Sequence, residues 1–286
     1  KKAALKLKIP LLITNHFSLD YVLSYLAFLK PAHRMLRKFL SLYLTKYYND
    51  CNYVICPTET VKKTLLSFGV KKPILAISNG VDLERFFAYS APTETLLKYH
   101  LPANPLVLYV GRIDKDKDID VLLKAAPLVI KQIDAHFVLV GGGDKLEEFR
   151  RFVIKNQFER FVSFLGPIAH ESEDIPKIYQ LASLFAIPSR IETQSIVTLE
   201  AMASGLPIVA AKAGALPELV THGKNGFLFP PGDYQRLAEY LVRLLEDQQL
   251  QESMGKESLA KVVTHEIGRS FAKVGALYEK VAQKTS

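Results

Sequence analysis

Leu106-Val107-Leu108-Tyr109-Val110-Gly111 decides the fold of the longer part of this 286-residue chain. Five apolar residues stopped by a glycine read as a short buried strand, and the same unit recurs downstream. Predicted strands at His136–Val140, 162–165, Leu184–Ile187, 208–210 and Gly226–Phe229 alternate with predicted helices at 119–132, 144–156, 175–181, about 195–204, 215–220 and 234–245. Strand–helix alternation through short Gly/Pro loops predicts an α/β domain with a parallel sheet covered on both faces. Such sheets bind ligands beyond the carboxy ends of their strands.

Upstream the pattern is looser. An apolar run at 9–14 reads as a strand leading to Asn15-His16, and Ser18 caps a helix extending to about Leu29. Pro31 restarts the chain into a helix over 32–48. A strand at 52–56 is halted by Pro57, and Thr58 caps a helix that Gly69 ends. A strand at 74–77 runs into the Asn79-Gly80 turn. Residues 83–104 carry no clear period and include Pro92 and Pro102, so a boundary is expected there. The expected domains are 1–100, 101–265, and a terminal helix over 266–286 packing back towards the first.

Composition bounds the rest. Hydrophobic residues make up 49% and charged residues 23%, the balance of a globular protein. No apolar run approaches the ~20 residues of a membrane span. Cys51 and Cys56 are too few for a disulfide framework or a zinc site and suit a reducing compartment. The net charge of +8 favours anionic partners, whether nucleic acid, acidic lipid or phosphorylated small molecules. No RNA- or DNA-binding module is recognisable, so nucleic acid is not an expected partner. The basic segment from Lys1 to Lys8 reaches Pro10 without a cleavage-like pattern and reads as chain continuing from upstream.

Three motifs fall at strand ends. In Val110-Gly111-Arg112-Ile113-Asp114-Lys115-Asp116-Lys117, glycine admits close backbone approach, while Arg112 and Lys117 offer positive charge beside a helix amino terminus. The alternative is a solvated loop of mixed charge, since Asp114, Asp116 and Asp118 offset the cations. Gly141-Gly142-Gly143-Asp144 suits either a turn near a ligand or a plain connection with Asp144 as N-cap. The stretch from Pro188 to Pro207 is the most informative. It places Glu192 in a loop and Glu200 within the following helix, among Leu199, Ala201 and Met202. A carboxylate in such company needs hydrogen-bond donors. A ribose diol supplies two, and the helix amino terminus near Ser195 offers backbone N–H groups to an anion.

Together these motifs resemble glycosyltransferase family 4, the large group of retaining GT-B enzymes. The resemblance rests on Gly111-Arg112…Asp116-Lys117, on Gly141-Gly142-Gly143, and above all on Glu192 and Glu200 followed by Ala201-Met202-Ala203-Ser204-Gly205-Leu206-Pro207. Asn15-His16, Pro57-Thr58 and Ser78-Asn79-Gly80-Val81-Asp82 extend it more weakly upstream. It implies two Rossmann-like, doubly wound parallel-sheet domains, the first incomplete for want of the family's opening strand and glycine-rich loop. It also implies roles: Arg112 and Lys117 stabilise a leaving diphosphate, Glu192 contacts the donor sugar, and His16 faces that sugar from the first domain. Glu200 would hold the ribose, Gly111 would let the donor approach, and Gly166, Pro167 and Ile168 would line the base pocket. Backbone amides of Gln194, Ser195, Ile196 and Val197 would complete the anion site. No metal and no cofactor beyond the nucleotide-sugar donor is implied.

Two positions depart from the family pattern. Ser195 replaces a glycine, which would crowd the donor sugar or demand an unfavourable backbone angle. Asp118 replaces the glycine after Lys117 and brings a negative charge towards the diphosphate.

The expected activity is transfer of a hexose from a UDP- or GDP-sugar to an acceptor, with retention of configuration. The alternatives are a non-catalytic nucleotide-sugar-binding fragment and a GT-B-like nucleotide-sugar epimerase. Glu192-Thr193-Gln194 looks closest to bacterial enzymes that glycosylate diacylglycerol or related lipids. Between Lys30 and Lys46, Arg34, Arg37 and Lys38 stand among Met35, Leu36, Phe39, Leu40, Leu42 and Tyr43. That pattern suits either a domain helix or a helix lying on an anionic bilayer. The expected acceptor is therefore a membrane lipid or glycan, and the expected location is cytoplasmic, peripheral on the inner face of the cell membrane.

Overall fold

The computed structural model describes residues 2–7, 9–26, 32–87 and 93–283. The chain divides into two compact units: residues up to Gly80 together with those from His265 onward, and Val81–Thr264. The boundary expected near residue 100 lies instead between Gly80 and Val81. Residues 83–104 hold a helix, Thr93–Lys98, that belongs to the second unit. Pro31 and Pro92 lie outside the described residues, as do residues 27–29 of the helix expected to reach Leu29.

The first unit comprises α1 (Lys2–Lys6), β1 (Leu12–Thr14), α2 (Leu19–Tyr25), α3 (His33–Asn49), β2 (Tyr53–Cys56), α4 (Glu59–Ser67) and β3 (Ile74–Ala76). Its sheet is parallel in the order β1-β2-β3. Alternate side chains of β2 leave on opposite faces. Val54 and Cys56 join Tyr48, Val61, Leu65 and Ile74 on one side, while Ile55 meets Leu277 and Val281 of the terminal helix on the other. Thr58 caps α4 as expected, its Oγ1 accepting from the Val61 amide at 3.3 Å.

The second unit runs α5 (Thr93–Lys98), β4 (Leu106–Val110), α6 (Ile119–Ile130), β5 (His136–Val140), α7 (Leu146–Lys155), β6 (Val162–Gly166), α8 (Asp174–Leu181), β7 (Leu184–Ile187), α9 (Ile196–Ala203), β8 (Ile208–Ala211), α10 (Leu216–Leu219), β9 (Gly226–Phe229), α11 (Tyr234–Glu246) and α12 (Gln248–Val262). The final helix α13, Ile267–Gln283, returns to the first unit. The six-stranded sheet is parallel in the order β6-β5-β4-β7-β8-β9. Every residue of β4, β5, β7 and β8 is buried, as strands covered on both faces require. Strand order reverses between β4 and β7, and the crevice at such a switch point is where doubly wound sheets take their ligands.

Of the two readings of Gly141-Gly142-Gly143-Asp144, the one with Asp144 as N-cap of α7 is not what the structure has. Lys145, one residue later, stands at the N-cap, and the Asp144 amide donates to Asp114 Oδ1 at 2.9 Å. The helix α12 had no counterpart in the sequence pattern.

His136 enters β5 buried, its Nε2 2.8 Å from Ser163 Oγ, and burial lowers its pKa below the usual 6.5. A lowered folded pKa means that the unfolded chain binds the proton more readily. This group's contribution to stability is therefore complete above its ordinary pKa and declines as pH falls through it towards the folded value. The melting temperature is expected to drop between about pH 7 and about pH 5, and His136→Gln to flatten that slope. An unchanged slope in scanning calorimetry would remove His136 as its source.

Candidate functional site

Two loops meet at the switch point. The first follows β4 and carries Gly111 to Asp118. Tyr109, buried in β4, donates its hydroxyl to the Arg112 carbonyl at 2.7 Å and fixes the loop's start. Burial pushes that phenol well above its ordinary pKa, so it remains a donor. The Arg112 guanidinium forks across Asp114 and Asp116, reaching Asp116 Oδ2 at 3.0 Å. Asp116 is 1% exposed at its side chain and also lies 3.7 Å from Lys117 Nζ. One carboxylate thus sets the spacing of both cations.

The second loop follows β7 and leads into α9. Its Glu192 Oε1 accepts from Lys117 Nζ at 2.8 Å, which ties the two loops together. A further tie joins Asp118 to Arg190, whose Nη2 reaches Asp118 Oδ1 at 2.6 Å. The negative charge expected near the diphosphate is therefore paired. Asp118 stands in the left-handed region, φ 50 and ψ 37, the conformation that glycine adopts freely and that Asp tolerates. Its burial raises its pKa against the lowering effect of Arg190. The unfavourable backbone angle considered for Ser195 is not found: φ is −88, and its Oγ is a hydrogen-bond partner of Thr198 Oγ1 at 2.8 Å.

Two glycines let neighbouring loops pack against these two. A Cβ on Gly141, at φ +137, would lie 1.9 Å from the Gly111 carbonyl oxygen. One on Gly214, at φ +53, would lie 2.6 Å from the Glu192 carbonyl oxygen, and the neighbouring Ala215 amide donates to that same oxygen at 3.0 Å. A side chain at Gly141 would push the loop after β5 off the loop that carries Arg112, and one at Gly214 would push the loop after β8 off the loop that carries Glu192.

Between these loops, Gly111, Arg112, Gly141, Pro167, Ile168, His170, Val197 and Glu200 are among the residues around a cavity of about 270 Å³. It joins five of the sequence-predicted positions: Gly111, Arg112, Pro167, Ile168 and Glu200, with Val197 from the amino end of α9 as a sixth. Gly166 ends β6 and accepts from the Gly141 amide at 2.8 Å, which sets the start of the Pro167-Ile168 wall. Gln194 and Ser195 are buried just before α9, and Ile196 is exposed on its first turn. The first amides of that helix have no intrahelical acceptor. His16 follows β1 in the first unit and is exposed.

Glu200 is 2% exposed and its two oxygens have protein donors: His170 Nε2 is 2.8 Å from Oε1, and Tyr179 Oη is 2.8 Å from Oε2. Burial raises the Tyr179 pKa well above its usual value, which keeps the hydroxyl protonated. Neither partner was evident in the sequence. A buried glutamate does demand donors, and His170 stands in a loop at a strand's carboxy end, so the signal existed for it. For Tyr179, on a helix read only for its apolar period, there was none. Among the described residues no cluster of His, Cys, Asp and Glu could hold a metal ion.

A family model described as glycosyl transferases group 1 matches residues 104–247, and one described as glycosyltransferase family 4 matches residues 1–85. The sulfoquinovosyl transferase SQD2 of Arabidopsis thaliana is 32% identical over 209 residues, 71% of this chain and 39% of that protein. A GDP-mannose-dependent alpha-(1-6)-phosphatidylinositol monomannoside mannosyltransferase of Mycobacterium tuberculosis is 33% identical over 198 residues, 66% of this chain and 51% of that protein. The chain thus spans about half or less of the length of these relatives. Among solved structures, sucrose-phosphate synthase from Thermosynechococcus elongatus superposes with a TM-score of 0.82 at 26% identity, covering 96% of this chain and 68% of that one. Anabaena HepE in complex with UDP gives 0.81 at 25%, covering 98% and 74%. The fold is therefore the GT-B type, with two parallel sheets, that the motifs implied. By its motifs, its strand order and the family match across residues 104–247, the chain belongs to the glycosyl transferases group 1 family.

Proposed function

We propose that this protein transfers a hexose from a nucleoside diphosphate sugar to an acceptor with retention of configuration. The observation that carries the reading is the single cavity joining Arg112, the amino end of α9 and the buried carboxylate of Glu200. In this reading Glu200 accepts from the ribose, and the base lies against Pro167 and Ile168. The diphosphate then lies towards Arg112, Lys117 and the first amides of α9, where fixed positive groups oppose the charge that grows on the leaving group. Glu192, bonded to Lys117, is the candidate for the sugar hydroxyls. The first unit's candidate group is His16. HepE, solved with UDP, and a relative named for GDP-mannose both support a nucleotide-sugar donor.

The proposed acceptor is a membrane lipid or glycolipid, with the protein held peripherally on the membrane's inner face. On α3, Met35, Phe39, Leu42 and Tyr43 are exposed, at 73%, 67%, 59% and 64%, beside exposed Arg34, Arg37, Lys38 and Lys46. Apolar side chains flanked by cations match an anionic bilayer surface. No helix among the described residues is long and apolar enough to cross a membrane. The relative from M. tuberculosis is named for a phosphatidylinositol-derived acceptor.

The test incubates the chain with UDP- and GDP-hexoses and anionic lipid vesicles, and identifies the product's anomeric configuration by NMR. Consumption of one donor, with the donor's configuration kept in a lipid-bound product, is expected. An inverted product, or a sugar rearranged without an acceptor, would contradict the reading.

A further inference from the structure

The turn at Asp82 has no place in the chemistry above, yet the residues after it reach the Glu200 site within the second unit. Asp82 Oδ1 accepts from the amides of Glu84 and Arg85 at 3.0 and 3.1 Å, which fixes the direction in which Arg85 and Phe86 leave. Phe86 is 2% exposed and meets the Tyr179 ring edge-on, with centroids 5.7 Å apart; its centroid lies 6.2 Å from that of His170. The Arg85 guanidinium donates to the carbonyls of His170 and Ser172, the second at 3.1 Å, and its Nη1 lies 3.4 Å from His170 Nδ1. The guanidinium is always a donor, so Nδ1 is the acceptor in that contact. The neutral ring then carries its proton on Nε2, the nitrogen 2.8 Å from Glu200 Oε1.

The chemistry follows from counting lone pairs. A carboxylate offers about four acceptor sites, two on each oxygen. His170 takes one on Oε1 and Tyr179 one on Oε2, so each oxygen has its own protein donor. The carboxylate plane is fixed by that pair, and each oxygen keeps capacity for a second donor from the cavity that Glu200 lines. Two donors on adjacent carbons, as in a cis-diol, fit two oxygens held in this way.

We propose that His170, itself held by Arg85, is a positioning residue that fixes the Glu200 carboxylate for a ribose diol, and that it thereby sets the preference for ribo- over deoxyribonucleotides. This rests on the reading of the cavity as a nucleoside diphosphate site. Tyr179 alone fixes one oxygen and leaves the carboxylate free to turn about it. Losing His170 therefore costs the geometry of the diol contact without touching the groups around the diphosphate.

The test is calorimetric titration of the full chain, native and as His170→Ala, His170→Gln and Arg85→Gln, with UDP, GDP and their 2′-deoxy forms. The native protein is expected to bind the ribo form of one base about tenfold more tightly than its deoxy form. His170→Ala should weaken the ribo form by about tenfold, leave the deoxy form nearly unchanged, and so collapse the ratio. His170→Gln, which retains a donor, should restore part of the ratio. Arg85→Gln, at a residue that is not among those around the cavity, should move it the same way as His170→Ala, and serves if that variant folds poorly. A ratio unchanged in both His170→Ala and Arg85→Gln, or ribo binding that tightens, overturns the inference while leaving the donor site intact. A native chain that binds none of the four nucleotides overturns the donor-site reading and the inference with it.

Discussion

Glu200→Ala is expected to weaken nucleoside diphosphate binding by about two orders of magnitude. Each hydrogen bond between a hydroxyl and a charged acceptor contributes about 1.5–3 kcal/mol, and a diol makes two to this carboxylate. The site is buried, with Glu200 at 2% exposure, so water does not replace what is lost. Folding is expected to survive, because the Tyr179 hydroxyl keeps the Val197 carbonyl 3.2 Å away as an acceptor, and His170 reaches solvent at 60% side-chain exposure. Glu200→Gln separates charge from shape. It retains the volume but offers one acceptor oxygen in place of two, and should fall between the native protein and Glu200→Ala. Calorimetry reads both variants; affinities within about threefold of native, little more than half a kcal/mol, would remove Glu200 from the ribose contact.

Lys117→Gln is expected to lower kcat by about a hundredfold or more while changing donor affinity far less. The reason is the timing of charge. A nucleoside diphosphate sugar already carries its diphosphate in the ground state, but the leaving group gains further negative charge as the glycosidic bond breaks. A cation that meets that added charge acts on kcat, and loss of one such group typically costs 10²–10³-fold. Lys117 is suited to this task because its ammonium is held by Glu192 at 2.8 Å and lies 3.7 Å from Asp116, and is 14% exposed. Arg112→Lys tests the same idea from the other side. It keeps the charge but loses the fork across Asp114 and Asp116. Because both cations share Asp116, the double substitution should cost less than the product of the single effects. Steady-state transfer kinetics measures all three, and a Lys117→Gln variant with native kcat would take Lys117 out of the transition state.

Much of the second unit was legible in the sequence because its central strands are buried on both faces. β4, β7 and β8, and β5 after His136, therefore read as unbroken apolar runs, which no amphipathic alternation blurs. The helix α12 was not legible. It buries Met254, Gly255, Ser258 and Val262, only two of them large and apolar, so no stripe marks it. Gly255 is needed there, since a Cβ would lie 2.2 Å from the Gly205 carbonyl oxygen. The unit boundary was misjudged because prolines and weak periodicity mark loops, whereas membership of a unit depends on long-range packing. Residues 93–99 join the second unit through Lys98 and Tyr99, both bonded to Asp174 at the start of α8.

The candidate site shows the same division. Glu192, Glu200, Arg112 and Lys117 announce themselves by residue type and spacing, and the structure places Arg112 and Glu200 on one cavity and Lys117 against Glu192. What holds them was silent. Asp116 stands between two cations of its own loop, whereas the Asp118–Arg190 pair across 72 residues and the His170–Glu200–Tyr179 chain join segments that only the folded sheet brings together.

The most direct test of the central claim, that α9 and the loop after β4 together grip a nucleoside diphosphate, is a calorimetric comparison of UDP and GDP with uridine and guanosine on the native chain. One diphosphate should bind once per chain, at least tenfold more tightly than its own nucleoside, because Arg112, Lys117 and the first amides of α9 meet the phosphates. Equal affinity for nucleoside and diphosphate, or no binding of either base, would contradict it.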